Sequence, residues 1–221
     1  MKKQQLTKNF KPTSVKTIEE AIKLLKENVK GNFEQTFECQ IALKLPVKNR
    51  KDAVRISITP PHFFGKDVKI VVLTDAQNEA IAKSSGADFV GLDDLVEKMV
   101  GGWSDFDIVI ATPSVMPKIA KLGKVLGPKG IMPNPRNETV TTDIERVIKS
   151  YKAGKLDYKM SESNQIAFKF GKFKMDDAAL LENFNKFLES LKTEVSKYPG
   201  NVISKMYIKT TMSPSIVILN K

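Results

Sequence analysis

Pattern alone predicts an α/β protein of two domains. A split α+β domain, residues 1–62 and 155–221, brackets an inserted, doubly wound α/β domain, residues 63–154. Three observations predict this. Strictly alternating strands beside amphipathic helices fill the first and last thirds, the style of an antiparallel sheet covered on one face. In the middle third, short and nearly continuous apolar strands alternate with helices, the style of a parallel sheet covered on both faces. Crossings near Pro60–Gly65 and Ala153–Lys155 divide the two styles, with Pro61, His62, Gly65 and Gly154 as hinge positions.

The elements follow in chain order. "TIEEAIKLLKENV" (Thr17–Val29) reads as a helix. Thr17 caps it, Glu20 completes a capping box, and Ile18, Ala21, Ile22, Leu25 and Val29 form the apolar stripe. "TFECQIALKL" (Thr36–Leu45) alternates. Phe37, Cys39, Ile41, Leu43 and Leu45 face one way, while Thr36, Glu38, Gln40 and Lys44 face the other. "AVRISI" (Ala53–Ile58) is expected to pair with it. "DVKIVVLTD" (Asp67–Asp75) reads as a buried parallel strand. A helix ending at Gly86, the short "ADFVG", a helix from Asp93 to Met99 and the strand Phe106–Ala111 follow. Alternation returns in "QIAFKF" (Gln165–Phe170). The helix "DAALLENFNKFLESLKTEV" then carries Leu180, Leu181, Phe184, Phe187, Leu188 and Leu191 on its stripe. "SKMYIKTTMSPSIVILN" closes the chain as one or two strands broken at Pro214.

Charge narrows the function. The 221 residues hold 36 Lys and Arg against 25 Asp and Glu, a net +11. A field of that sign attracts polyanions, chiefly nucleic acid or anionic membrane. Only four of the basic residues are Arg. Lys offers a point charge to phosphate, whereas Arg suits bidentate base reading, so backbone contact is favoured over a base-edge code. No apolar run approaches the ~20 residues of a membrane helix. The basic start lacks the apolar run of a signal peptide. The single cysteine, Cys39, excludes an internal disulfide framework and points to a reducing compartment.

Motifs for catalysis are thin. "VVLTDAQNE" lacks the glycines of a dinucleotide fingerprint, and "GKVLGPKG" has the wrong spacing for a P-loop. His62, the one histidine, lies between Pro61 and Phe63 and reads as a hinge residue rather than a general base. Cys39 falls on the apolar strand face and reads as a buried thiol. No His/Cys/carboxylate set has metal-ligand spacing, so no metal or cofactor is expected.

Two stretches carry binding chemistry. "KIAKLGKVLGPKGIMPNPR" (Lys118–Arg136) reads as a rigid loop with three Gly, three Pro, five basic residues and no acid. Lys118, Lys121, Lys124, Lys129 and Arg136 supply charge, and Gly123, Gly127 and Gly130 allow a close partner. A phosphate-backbone contact and a merely solvated basic loop are the two readings. On the split domain, the strands around Thr36 and Thr211 sharing one sheet would put Thr36, Glu38 and Gln40 beside Lys209 and Thr211. Hydroxyls and a carboxylate there suit ribose 2′-OH groups, with Phe33 and Met212 adding apolar contact.

"LGKVLGPKGIMPNP" followed by "ETVT" resembles the signature of the large-subunit ribosomal protein L-one family. "EAIKLLKE", "NFEQT", "SGADFVG", "FDIVIATP", "IKSYKAGK" and "TTMSPS" fall in family order, so the likeness covers nearly the whole chain. The resemblance implies a split RNA-binding domain with an inserted Rossmann-like three-layer α/β domain. It also implies a monomer within the large ribosomal subunit that binds large-subunit rRNA as a mobile stalk near exit-site tRNA, and that represses its own mRNA. The implied RNA contacts are Phe33, Thr36, Glu38, Thr211 and Met212, with Gln40, Lys209, Thr210 and Ser213 in the same patch. The basic stretch would lie towards rRNA or tRNA. Implied locations are a bacterial cytoplasm, a mitochondrion or a plastid. Three features depart from the family: Ser213 replaces a usual Gly, "TPPHFFGK" replaces the usual hinge, and the segment between Leu45 and Val54 is short. The alternative is an α/β enzyme acting on a phosphorylated substrate at the basic stretch.

Overall fold

The computed structural model describes residues 14–28, 33–45, 54–200 and 202–218. The chain is a mixed α/β protein of two compact units, Met1–Phe64 with Leu156–Lys221, and Gly65–Lys155.

The first unit begins with β1 (Ser14–Val15), α1 (Ile18–Asn28), β2 (Thr36–Leu43) and β3 (Arg55–Ile58). Thr17 caps α1 by accepting the Glu20 N–H at 3.3 Å. The Glu20 carboxylate reaches the Lys16 N–H, one residue earlier than a capping box requires. Val29 and Ala53 lie outside the described residues.

The second unit contains β4 (Ile70–Leu73), α2 (Ala76–Ser84), β5 (Phe89–Gly91), α3 (Asp93–Val100) and β6 (Ile108–Ala111). It continues with α4 (Met116–Ile119), α5 (Gly123–Lys129) and α6 (Ile144–Lys152). The chain then returns to the first unit through β7 (Leu156–Lys159), β8 (Gln165–Lys172), α7 (Asp177–Val195), β9 (Ile203–Thr210) and β10 (Ile216–Ile218).

In the first unit the sheet order is β1-β10-β9-β2-β8. Strand β2 is antiparallel to both β8 and β9. Both of its edges are therefore taken, which is why β3 pairs with β7 in a separate two-stranded sheet instead of with β2. Inward residues Phe37, Cys39, Ile41, Phe168, Phe170 and Ile208 meet Ile22 and Leu25 of α1 and Leu180, Phe184, Phe187 and Leu191 of α7 in one core. Burial pushes the Cys39 thiol pKa well up, so it stays an uncharged apolar filler. Buried Asn183 of α7 ties this core to the first crossing: it accepts the His62 N–H at 2.9 Å and donates to the carbonyls of His62 and Phe170. The His62 ring lies 2.7 Å from Glu182.

The second unit has a three-stranded parallel sheet, order β5-β4-β6. Val71, Leu73, Val109 and Ala111 join Leu95, Met99, Ile119, Leu122 and Leu126 on one side. Ile70, Val72 and Ile110 join Ala82, Val147, Ile148 and Tyr151 on the other. Burial on both faces explains the unbroken apolar runs. At the second crossing, Gly154 has φ 94, a conformation open to glycine. Beside it, buried Lys155 donates to Glu138 at 2.7 Å. That hydrogen bond holds the Glu138 carboxyl below its usual pKa.

Strand β8 carries a β-bulge. Phe37 faces Gly171 while Glu38 faces Lys169, so Phe170 has no partner on β2. Phe170 and Gly171 both turn inward, and a Cβ on Gly171 would lie 2.2 Å from Leu180 Cδ2. Gly171→Ala should therefore overpack the core and destabilise by roughly 1–3 kcal/mol. Leu180→Ala should cost roughly 2–5 kcal/mol through the cavity it leaves. Combined, the two changes should cost measurably less than their sum, because each relieves the other; urea unfolding of all four proteins measures the coupling.

Candidate nucleic-acid interface

The face of the five-stranded sheet opposite α1 and α7 is polar and basic. Alternation sends Thr36, Glu38 and Gln40 of β2 outward, because Phe37, Cys39 and Ile41 are buried. On β9, Lys205, Tyr207 and Lys209 point outward while Met206, Ile208 and Thr210 are buried. Register sets Glu38 between Lys209 on β9 and Lys169 on β8. Its carboxylate pairs with Lys209 at 3.1 Å. The bulge then does something simple alternation would not: Lys172 as well as Lys169 reaches this face. The Lys172 ammonium donates to the Thr36 hydroxyl at 3.3 Å. Two ammonium groups, Lys169 and Lys209, thus face Glu38 from the neighbouring strands, while Lys172 lies one outward position to one side and Lys205 two outward positions to the other.

Gln35 fixes one end of this face. Its side chain is buried, and its Oε1 accepts from the Thr210 hydroxyl at 2.8 Å and the Met212 N–H at 3.2 Å. Its main-chain carbonyl accepts the Phe173 N–H at 2.8 Å. The turn after β9 is therefore bound to the start of β2. Next to it, the Thr36 N–H donates to the Thr211 hydroxyl at 3.1 Å, and that hydroxyl donates to the Thr36 carbonyl at 3.5 Å. Ser213 closes the turn: its hydroxyl accepts the Thr210 N–H at 2.8 Å, and its N–H donates to the Thr210 carbonyl at 3.2 Å. Ser213 is not among the non-glycine residues of positive φ, which are Glu138 and Asn164. The serine fits without backbone strain and uses its hydroxyl to hold the turn.

The structure brings Thr36, Glu38, Gln40, Lys209, Thr211, Met212 and Ser213 into one patch, with Phe33 half exposed just before β2. Thr210 is placed differently. It is fully buried with its hydroxyl given to Gln35, so it supports the patch from beneath and presents nothing to a partner. The same parity that buries Ile208 buries Thr210. Pattern reading missed Gln35, Lys169, Lys172, Lys205 and Tyr207. Extending the alternation along β8 and β9 would have found Lys169, Lys205 and Tyr207; nothing local marks Gln35, and Lys172 needs the bulge.

The basic stretch is not a loop. Residues 116–129 form α4, a 3-10 turn (Ala120–Leu122) and α5. Ile119, Leu122 and Leu126 recur at helical spacing and are buried, and this burial outweighs the breakers. Pro128 sits near the end of α5, where it removes one donor, and Gly130 at φ 73 terminates the helix. Lys121, Lys124 and Lys129 are exposed, whereas Lys118 approaches Asp93 at 3.4 Å. Asn134 accepts the Arg136 N–H at 2.9 Å and fixes the turn that follows. Gly123 and Gly127 lie on one face of α5, where an added Cβ would meet nothing within 4 Å.

This is a basic α/β protein with a polar, lysine-bearing outer face on its five-stranded sheet. Among the described residues no group of His, Cys, Asp or Glu could hold a metal ion. Residues 25–214 match the model of the ribosomal protein L1p/L10e family, and the chain belongs to that family. As a ribosomal protein it is structural and not an enzyme. A large ribosomal subunit protein uL1 of Prochlorococcus marinus strain MIT 9515 is 42% identical over 200 residues, covering 90% of this chain and 85% of its own. The namesake protein of P. marinus strain CCMP1986 is 41% identical over 221 residues, covering 97% and 94%. That of Synechococcus sp. strain CC9605 is 40% identical over 200 residues, covering 90% and 85%. All three relatives are bacterial.

Gln35→Leu should strip the Thr210 hydroxyl and the Met212 N–H of their shared acceptor. Loss of a buried acceptor should destabilise the protein by roughly 1–3 kcal/mol. Denaturant unfolding gives the cost, and faster hydrogen exchange at the Met212 amide shows that the turn has come loose.

Proposed function

We propose that the chain is a structural constituent of the large ribosomal subunit that grips large-subunit rRNA with the outer face of the split unit. The carrying observation is the set of outward lysines on one sheet face, Lys169 and Lys209 facing Glu38 with Lys172 and Lys205 further along, beside the hydroxyls of Thr36 and Thr211. The ammonium groups supply counter-charge to phosphates. Hydroxyls and the carboxylate can take ribose 2′-OH groups, which separate RNA from DNA. Phe33 and Met212 add apolar contact. Thr210 and Gln35 hold the patch rigid.

In this reading the split domain, 1–62 with 155–221, is the rRNA anchor, and the inserted segment, 63–154, is a reduced Rossmann-like three-layer domain. Parallel strands with helical residues packed on both faces support that description. Pro61, His62, Gly65 and Gly154 form the hinge. The protein acts as a monomer in the mobile stalk and assists release of deacylated tRNA from the exit site. Lys118, Lys121, Lys124, Lys129 and Arg136 on the inserted domain make a transient contact with rRNA or tRNA. The same outer face, offered a similar fold in its own mRNA, represses translation. Its place is the ribosome in a bacterial cytoplasm, as the bacterial relatives suggest. A phosphoryl-substrate enzyme is set aside by family membership.

Thr211→Val should weaken binding to a stalk rRNA fragment by roughly 1–3 kcal/mol, because a desolvated RNA group loses its partner. Thr211→Ser should recover most of the loss. Lys121→Ala should change affinity little at physiological salt and lower the salt slope by about one where that contact forms. Titrations at several salt concentrations, on proteins shown by circular dichroism to be folded, decide this. Equal small effects from Thr211→Val and Lys121→Ala would contradict the division of labour.

A further inference from the structure

The outer sheet face is not flat. A concavity of ≈ 590 Å³ opens in it, lined by Glu38, Gln40, Gln165, Ala167, Tyr207 and Lys209. Its origin is a size contrast in one row of the sheet. Gln40 faces Ala167 on β8 and Tyr207 on β9. The alanine leaves a dip on β8, and Tyr207, on the far side of Gln40, lines the same concavity. One row along, the Glu38–Lys209 ion pair forms a charged rim.

The chemistry of the lining is specific. Tyr207 is half-buried and, among the described residues, meets no other ring and makes no side-chain hydrogen bond. It lines the concavity with part of its side chain exposed there. Gln40 donates through Nε2 to Gln165 Oε1, which joins the two amides side by side. Each amide has a second polar atom, so the pair still offers one acceptor, Gln40 Oε1, and one donor, Gln165 Nε2. Nucleobase edges present this same pairing of donor and acceptor. Lys169 and Lys209 flank the row and match the charge of a nucleotide phosphate.

We propose that this concavity receives a single unpaired nucleobase of the bound RNA, stacked on Tyr207 and hydrogen-bonded to the Gln40–Gln165 amide pair. The inference rests on the reading of the outer face as an RNA surface and adds to it a base-reading subsite. Backbone contacts then supply affinity, and this pocket supplies selection of one extruded nucleotide. The ring matters more than the hydroxyl, because stacking is the larger contribution for an unpaired base.

The test uses the full chain and a stalk rRNA fragment in which each unpaired position is replaced, one at a time, by an abasic residue. Tyr207→Ala should weaken binding of the unmodified RNA roughly ten- to hundredfold. One abasic position should weaken binding to wild-type protein by a similar factor and have little further effect on Tyr207→Ala. Tyr207→Phe should recover most of the loss. Should Tyr207→Ala fail to fold, Tyr207→Leu keeps the bulk without the ring and carries the same expectation. Unchanged affinity for the Tyr207 variants, or losses from Tyr207→Ala and from every abasic position that simply add, overturns the pocket. Thr211→Val separates the two levels: if it weakens binding while the Tyr207 variants do not, only the pocket fails. If neither weakens binding, the RNA face itself fails.

Discussion

One buried carbonyl joins stretches of chain 175 positions apart: Gln35 Oε1 accepts the hydroxyl of Thr210. The same oxygen accepts the Met212 N–H. A buried amide oxygen without partners is costly, so these groups are held to each other. Their pairing fixes where the turn after β9 lies against the entry to β2. The hydrogen bonds between the Thr211 hydroxyl and the Thr36 main chain, and the position of Met212, follow from it. The patch is therefore preorganised from beneath by the buried side chains of Gln35 and Thr210. An RNA that binds it does not have to order the turn first.

The bulge on β8 is the second constraint. It turns Phe170 and Gly171 inward in succession, and Leu180 packs so close to Gly171 that no side chain fits there. The outcome on the other face is that Lys169 and Lys172, three residues apart, both point outward. An uninterrupted strand would have put one of them in the core. Core packing under α7 thus sets the charge pattern of the outer sheet face. The size contrast between Ala167 and Tyr207 adds a recess to that pattern.

Much of this was legible from period alone. The 2-residue alternation of Thr36–Leu45 and the apolar run Asp67–Asp75 identify an antiparallel and a parallel sheet before any contact is known. Glu38 and Lys209 follow as outward residues of two alternating strands. Where pattern failed, a non-local effect decided. "AVRISI" alternates as a partner of β2 should, yet β8 and β9 already occupy both edges of β2. Gly123, Gly127 and Pro128 mark a loop by local propensity, but burial of Ile119, Leu122 and Leu126 makes the segment helical. Gln35 carries no signal because its role depends on a partner 175 positions away.

Hydrogen exchange on the intact chain, with and without a stalk rRNA fragment, tests most directly that the split unit makes the grip. The account predicts slowed exchange in peptides covering 33–40 and 203–213 when RNA is added. Peptides covering 118–136 should change little at physiological salt, because their contact is transient and screened. Strong protection of 118–136, with 33–40 and 203–213 unchanged, would contradict the account and move the rRNA anchor to the basic helices.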